Sequence, residues 1–232
     1  MSTNNLFLIP AIFKYPNRET IDKNTTEQDI LDTYLNITYP SLKKYADFYN
    51  YKLKFGKKLY LEEQDLTLRK KIWYSKWYNL KENILNYNDV ILSDFDIIIK
   101  TFNDIRDINQ IGVISKDNVT GKYKDSADFV SNLVQKKINK WYKSTFVYIP
   151  NTYKQYFVDE MNTTLEILAT KKNSLTGNDE TFLNYIIYKH DLPTFKVNKI
   201  IKMLHYGGDE EKRKLIQLNN EYFKFKKYFS YI

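Results

Sequence analysis

The stretch ILSDFDIII, residues 91–99, sets two carboxylates, Asp94 and Asp96, inside a run of large apolar side chains. Charges in apolar surroundings are costly unless they are paired or bound to a metal. Val90-Ile91-Leu92 has the composition of a short strand buried on both faces of a parallel sheet. In an extended chain, residues two apart point to the same side. The pattern therefore predicts Asp94 and Asp96 facing one way at the strand end, with Phe95 turned into the core. Two convergent carboxylates form a hard-oxygen site suited to Mn2+ or Mg2+, which completes its shell with substrate phosphates. The bland alternative is two solvated aspartates in a turn, because D-x-D recurs often by chance. The flanking strand and Ile97-Ile98-Ile99 favour the site.

Working outward, residues 5 to 13 read as a buried first strand followed by turn signals at Pro16 and Asn17. Residues 27 to 38 follow as a helix, and Ser41 is placed to cap a second one carrying Leu42, Tyr45, Ala46 and Tyr49. Tyr51, Leu53 and Phe55 alternate with lysines as in a strand. Thr67 can cap a helix running to Asn86, with Trp73, Trp77, Leu80 and Ile84 on one stripe. Further helices are expected at 125–142, 153–170 and 179–189, and a strand at 144–149. Strands alternating with helices predict an α/β domain, its central sheet mostly parallel and flanked by helices. In such sheets ligands bind beyond the carboxyl ends of the strands, which is where Asp94 and Asp96 fall. No repeat or linker interrupts the 232 residues, so one domain is expected.

The totals are those of an ordinary globular chain, 43% hydrophobic and 28% charged. Cysteine is absent, which removes disulfides and thiolate metal sites and suits a reducing compartment. The apolar opening, Leu6 to Phe13, is too short to span a bilayer and nothing later approaches that length. A soluble, cytoplasmic protein is expected. The net charge of +8 fits a polyanionic partner, or equally the Asn, Lys, Ile and Tyr bias of an AT-rich coding sequence.

At this point several segments resemble one family. YNDVILSDFDIIIK is similar to the D-x-D segment of GT-A fold nucleotide-sugar glycosyltransferases, glycogenin-like and related. RKKIWYSKWYNLKENILNY resembles the helix that precedes that motif, and YPSLKKYADFYNYKLKF its helix, tyrosine-rich turn and strand. GNDETFLNYII resembles the acidic pair that opens a helix near the acceptor side, and MLHYGGDEEKRK the closing metal and diphosphate motif. The resemblance implies transfer of a sugar from a nucleoside-diphosphate donor, with UDP-sugar the leading choice, to a glycan or other hydroxyl acceptor. It implies Mn2+ (or Mg2+) held by Asp94, Asp96 and His205, with Asp94 also near the ribose. Lys76 would reach the sugar nucleotide, Gly208 and Lys212 would hold the diphosphate, and configuration would be retained. Two departures stand out. YKSTFVYIPN lacks the family's Asn-x-Gly strand, and Gly208 is four residues from Lys212 rather than three, so Arg213 competes for that role.

On their own chemistry these residues read more plainly. Imidazole suits Mn2+ and the Gly207-Gly208 pair allows close approach to phosphate, yet His205 could also be a histidine beside a turn. Lys76 could be a solvated lysine between stripe positions. Asp179 and Glu180 could simply favour a helix start; as catalytic candidates, one would orient a sugar or act as base or nucleophile. Ile9, Ala11 and Tyr15 lie where such a fold receives a nucleotide base, though Ile9 is equally a core residue. His190 reads as a capping or surface residue.

Two other functions compete. A nucleic-acid-binding module would use the basic charge and the aromatic-basic tail EYFKFKKYFSYI. No nucleic-acid motif supports it, so nucleic acid is the weaker expectation. The same tail is compatible with peripheral membrane contact, or with packing on the domain.

Overall fold

The computed structural model describes residues 4–10, 34–170 and 179–205, along which strands and helices alternate. Strand β1 (Asn5–Pro10), helix α1 (Tyr39–Phe48), strand β2 (Tyr51–Gly56) and helix α2 (Leu68–Lys81) come first. They are followed by β3 (Val90–Ser93), β4 (Ile97–Ile99), β5 (Ile111–Lys116), α3 (Lys124–Val134) and β6 (Trp141–Ile149). Helices α4 (Lys154–Thr163), α5 (Leu165–Thr170) and α6 (Asp179–Lys189), then β7 (Thr194–Lys196) and β8 (Met203–His205), complete the order.

Six strands form one sheet in the order β2-β1-β3-β6-β5-β7. Its pairings are parallel except the two made by β6, so every strand but β6 points the same way. This is the α/β architecture expected, a mostly parallel sheet flanked by helices. The period of two explains the apolar runs. Leu6 and Leu8, Val90 and Leu92, and Val147 and Ile149 enter one core with Trp77, Phe157 and Phe182 of the helices. Phe7 and Ile9, Ile91, and Phe146 and Tyr148 enter a second core with Leu42, Tyr45 and Ala46 of α1. Because both faces are covered, the central strands carry no polar alternation.

Several boundaries differ from expectation. The first strand is described to Pro10, and residues 11–13 lie outside the described residues, as do 27–33 of the first expected helix. Ser41 is not a cap: its hydroxyl donates to Thr38 O at 2.8 Å and accepts from Ile99 N at 3.2 Å, tying α1 to β4. Thr67 does cap α2, accepting from Lys70 N at 3.3 Å, but the helix stops at Lys81, followed by a 3-10 turn at Ile84–Asn86. The helix expected to reach residue 142 ends at Val134. Gln135 there adopts a left-handed φ of 55° and returns its N–H to Ser131, closing the helix. The chain then enters β6 at Trp141, earlier than expected. The segment 153–170 is two helices broken at Thr164.

Candidate active site

β3 ends at Ser93, and Asp94-Phe95-Asp96 form a turn rather than extended chain. The reason is topological. β4 leaves the main sheet and pairs with β8 in a separate two-stranded sheet, so the chain must bend at once. The antiparallel β3–β6 pairing runs one residue past the strand, with Asp94 N donating to Thr145 O at 2.8 Å. Phe95 turns inward as expected, its ring 5.8 Å from that of Phe55. Asp96 Oδ1 is shielded from solvent. Both carboxylates therefore sit at the carboxyl end of a central strand.

Three elements converge on this turn. From α2, Lys76 is 5% exposed, and buried lysines occur only when paired. Its ammonium donates to Asp94 Oδ1 at 3.0 Å, to Ser144 Oγ at 3.0 Å and to Asp179 Oδ2. It also donates to the Ser144 backbone carbonyl, at 3.3 Å. From α6, Asp179 also receives the Ser144 hydroxyl on Oδ2 at 2.5 Å, while its backbone carbonyl accepts from Trp77 Nε1 at 3.0 Å. Glu180 turns the other way and accepts from Trp141 Nε1 at 2.6 Å. Asn184, one turn on, fixes the helix to β6, accepting from Tyr142 N at 3.0 Å and donating to Tyr142 O at 2.8 Å.

The electrostatics follow from this crowding. Burial pushes the Asp94 carboxyl up to about 6; Asp96 and Asp179 add to the rise while Lys76 opposes it. Burial pushes Glu180 up to about 7, helped by the charge of Asp179 and resisted by the Trp141 bond, Lys76 and Lys143. Burial alone would lower Lys76, but Asp179 and Asp94 raise it above the usual lysine value, so it stays protonated. Carboxylates thus outnumber the ammonium they share. A divalent cation would relieve that excess, and the oxygen donors of Asp94 and Asp96 are of the right kind. Among the described residues no group of three or more His, Asp or Glu side chains is placed to hold a metal by itself. Two carboxylates are the number with which Mg2+ commonly binds when substrate phosphates supply the rest.

Of the residues singled out in the sequence, Lys76, Asp94, Asp96 and Asp179 gather here, while Glu180, next to Asp179 in the chain, turns to Trp141. The backbone of His205 lies opposite Ile97 in the β4–β8 ladder, one residue from Asp96; its side chain is outside the description. Ile9 is fully buried in the second core, so its side chain offers no surface to a base. Ala11, Tyr15, Gly208, Lys212, Arg213 and the C-terminal tail lie outside the described residues. His190 pairs with Glu160 Oε1 at 2.8 Å, remote from this cluster in its contacts. Ser144, Trp141 and Asn184 were not anticipated. The one available signal was polar residues in a strand otherwise buried throughout.

No helix among the described residues is long and apolar enough to cross a membrane. No family model and no curated protein matches the chain. Its fold is similar to a solved structure described as a glycosyltransferase involved in the glycosylation of the major capsid of PBCV-1. The likeness covers 93% of this chain and 99% of that one, with a TM-score of 0.50 and 10% sequence identity.

Proposed function

We propose that the protein is a divalent-metal-dependent glycosyltransferase, moving a sugar from a nucleoside-diphosphate donor, UDP-sugar first among them, to a glycan or other hydroxyl acceptor. The observation that carries this is the convergence of Lys76, Asp94, Asp96 and Asp179 at the carboxyl end of β3. The likeness in fold to a glycosyltransferase supports it, as does the resemblance of the D-x-D segment.

Asp94 and Asp96 would hold the ion, with His205 as the third ligand the resemblance implies, and the ion would neutralise charge developing on the diphosphate. The chain's own groups do the rest. Lys76, held protonated, keeps the Asp94 and Asp179 carboxylates together despite their repulsion. Asp179 spends Oδ2 on Lys76 and Ser144, which leaves Oδ1 for a sugar hydroxyl or for the positive charge that develops at the anomeric carbon. Glu180, with a carboxyl poised near neutrality, suits a proton-accepting role toward the acceptor hydroxyl.

Thermal unfolding against a panel of nucleoside diphosphates and their sugars, with and without Mn2+, tests the proposal. An upward shift that needs both metal and one nucleotide, and is lost in Asp96→Ala, is expected, because ligands stabilise the state they bind. No shift from any of them at millimolar concentration would overturn it. Salt-sensitive binding of single-stranded nucleic acid would then become the better reading.

A further inference from the structure

We propose that Ser144 is a positioning residue for the transfer, an assignment that rests on the transferase reading above. Its hydroxyl fixes which oxygen of Asp179 faces the donor and holds the Lys76 ammonium between two carboxylates.

Ser144 is 2% exposed and sits in the middle of β6, the one strand that runs against the rest of the sheet. Its Oγ has one proton and gives it to Asp179 Oδ2 at 2.5 Å. The same oxygen accepts from Lys76 Nζ at 3.0 Å. The three ammonium protons of Lys76 are thus shared among four oxygens, those of Asp94, Asp179 and the Ser144 hydroxyl, with the Ser144 carbonyl at the longer distance of 3.3 Å. Without the hydroxyl, Asp179 keeps Lys76 as the one donor on Oδ2, and its carboxylate is held at one point instead of two. Lys76 loses a neutral acceptor and moves toward one carboxylate at the expense of the other. Both effects displace charged groups at the candidate reacting centre, where small misplacements are expensive. Neither removes a charge, so the outcome differs from deleting Lys76 or Asp179.

Ser144→Thr and Ser144→Val test this. Both add a methyl to a strand position, where β-branched residues are accepted, and they differ only in the hydroxyl. The effect of the added methyl is therefore shared, and what remains between them is the exchange of the hydroxyl for a methyl. The probes are UDP-glucose, UDP-galactose, UDP-N-acetylglucosamine and GDP-mannose with MnCl2, and the readout is nucleoside diphosphate release with and without a glycan acceptor. For the donor that the wild type uses, the threonine variant is expected to keep kcat within about fivefold of wild type. The valine variant is expected to lose roughly a further tenfold or more in kcat, with donor KM within about twofold, as misplacement rather than lost binding predicts. Threonine and valine variants of equal kcat would overturn the assignment while leaving the transferase reading intact. If the wild type neither releases diphosphate from these donors nor shows a metal-dependent nucleotide shift, the transferase reading falls and this assignment falls with it.

Discussion

Lys76 on α2 and Asp94 at the end of β3 are 18 residues apart in sequence, and their side chains meet at 3.0 Å. The same ammonium also reaches Asp179 on α6, so one buried cation ties a helix, a strand end and a second helix into one cluster. Breaking such a pair costs more than the pair contributes, because the partner charge is left behind in a poorly solvated place. Lys76→Met should therefore destabilise the protein by about 3 kcal/mol. That corresponds to a fall in Tm of roughly 6–12 °C for a chain of this size. The double variant with Asp179→Asn should recover part of the loss, since it removes one of the stranded charges. Chemical denaturation of the single and double variants checks this; additive losses would mean that the two side chains are not coupled.

The raised carboxyl of Glu180 has a signed consequence. Its pKa moves from 4.5 up to about 7 on folding, so between those values the native state holds a proton that the unfolded chain has released. Stability from this group is present in full below its unfolded value and declines as pH rises toward 7, after which it is constant. Glu180→Gln keeps an acceptor for Trp141 Nε1 but cannot titrate. Tm measured from pH 5 to pH 8 should fall more steeply in wild type than in the variant. Parallel curves would show that Glu180 ionises normally.

How much of this site was legible depends on how local its signals are. β3 and the two aspartates are adjacent residues in one apolar run, so the strand, its end and the inward Phe95 could be read directly. The helix expected at 179–189 is present over those residues and ends at Lys189 as expected, because its apolar spacing is intact within eleven residues. The turn at Asp94-Phe95-Asp96 was not legible, since it depends on β4 pairing with β8, a partner more than 100 residues away. Ser144 and Asn184 escaped for the same reason. Their bonds to Asp179 and Tyr142 span 35 and 42 residues, and polar residues at buried positions of β6 and α6 do not identify their partners. The start of β6 at Trp141 was not legible because the preceding apolar residues keep helical spacing beyond Val134, and only the left-handed Gln135 breaks it.

Trp77 links packing to the site. Its ring is fully buried, edge-on to Phe182 at 5.2 Å, and its Nε1 donates to the Asp179 carbonyl at 3.0 Å. Trp77→Phe retains an aromatic but removes the indole donor, leaving the Asp179 carbonyl with its helical bond alone, at a cost of about 0.5–1.5 kcal/mol. Much of the effect should fall on the start of α6 and therefore on Asp179. Amide hydrogen exchange should accelerate in residues 179–183 of the variant, while β1 and β3 stay protected. Exchange rising uniformly over the sheet would mean that Trp77 acts only through core volume.

Gly56, at the end of β2, decides how closely α2 can approach the sheet. A Cβ built there would stand 2.7 Å from Asn79 Cβ and 2.9 Å from its Cγ. Asn79 cannot swing away, because its amide donates to Lys58 O at 2.8 Å and to Ser75 O at 2.7 Å. Gly56→Ala must then push the helix itself, at a cost of about 1–3 kcal/mol. Lys76 lies one turn before Asn79, so its ammonium moves relative to Asp94 and Asp179. Gly112→Ala provides the comparison. There the new Cβ meets Phe195 Cζ at 2.8 Å and Tyr148 Cβ at 3.0 Å, a similar clash between β5 and its neighbours that involves none of the three charged residues. Both variants should lower Tm by comparable amounts, but Gly56→Ala alone should blunt the metal-dependent nucleotide shift. Equal shifts in the two variants would show that the placement of α2 does not set the geometry of the cluster.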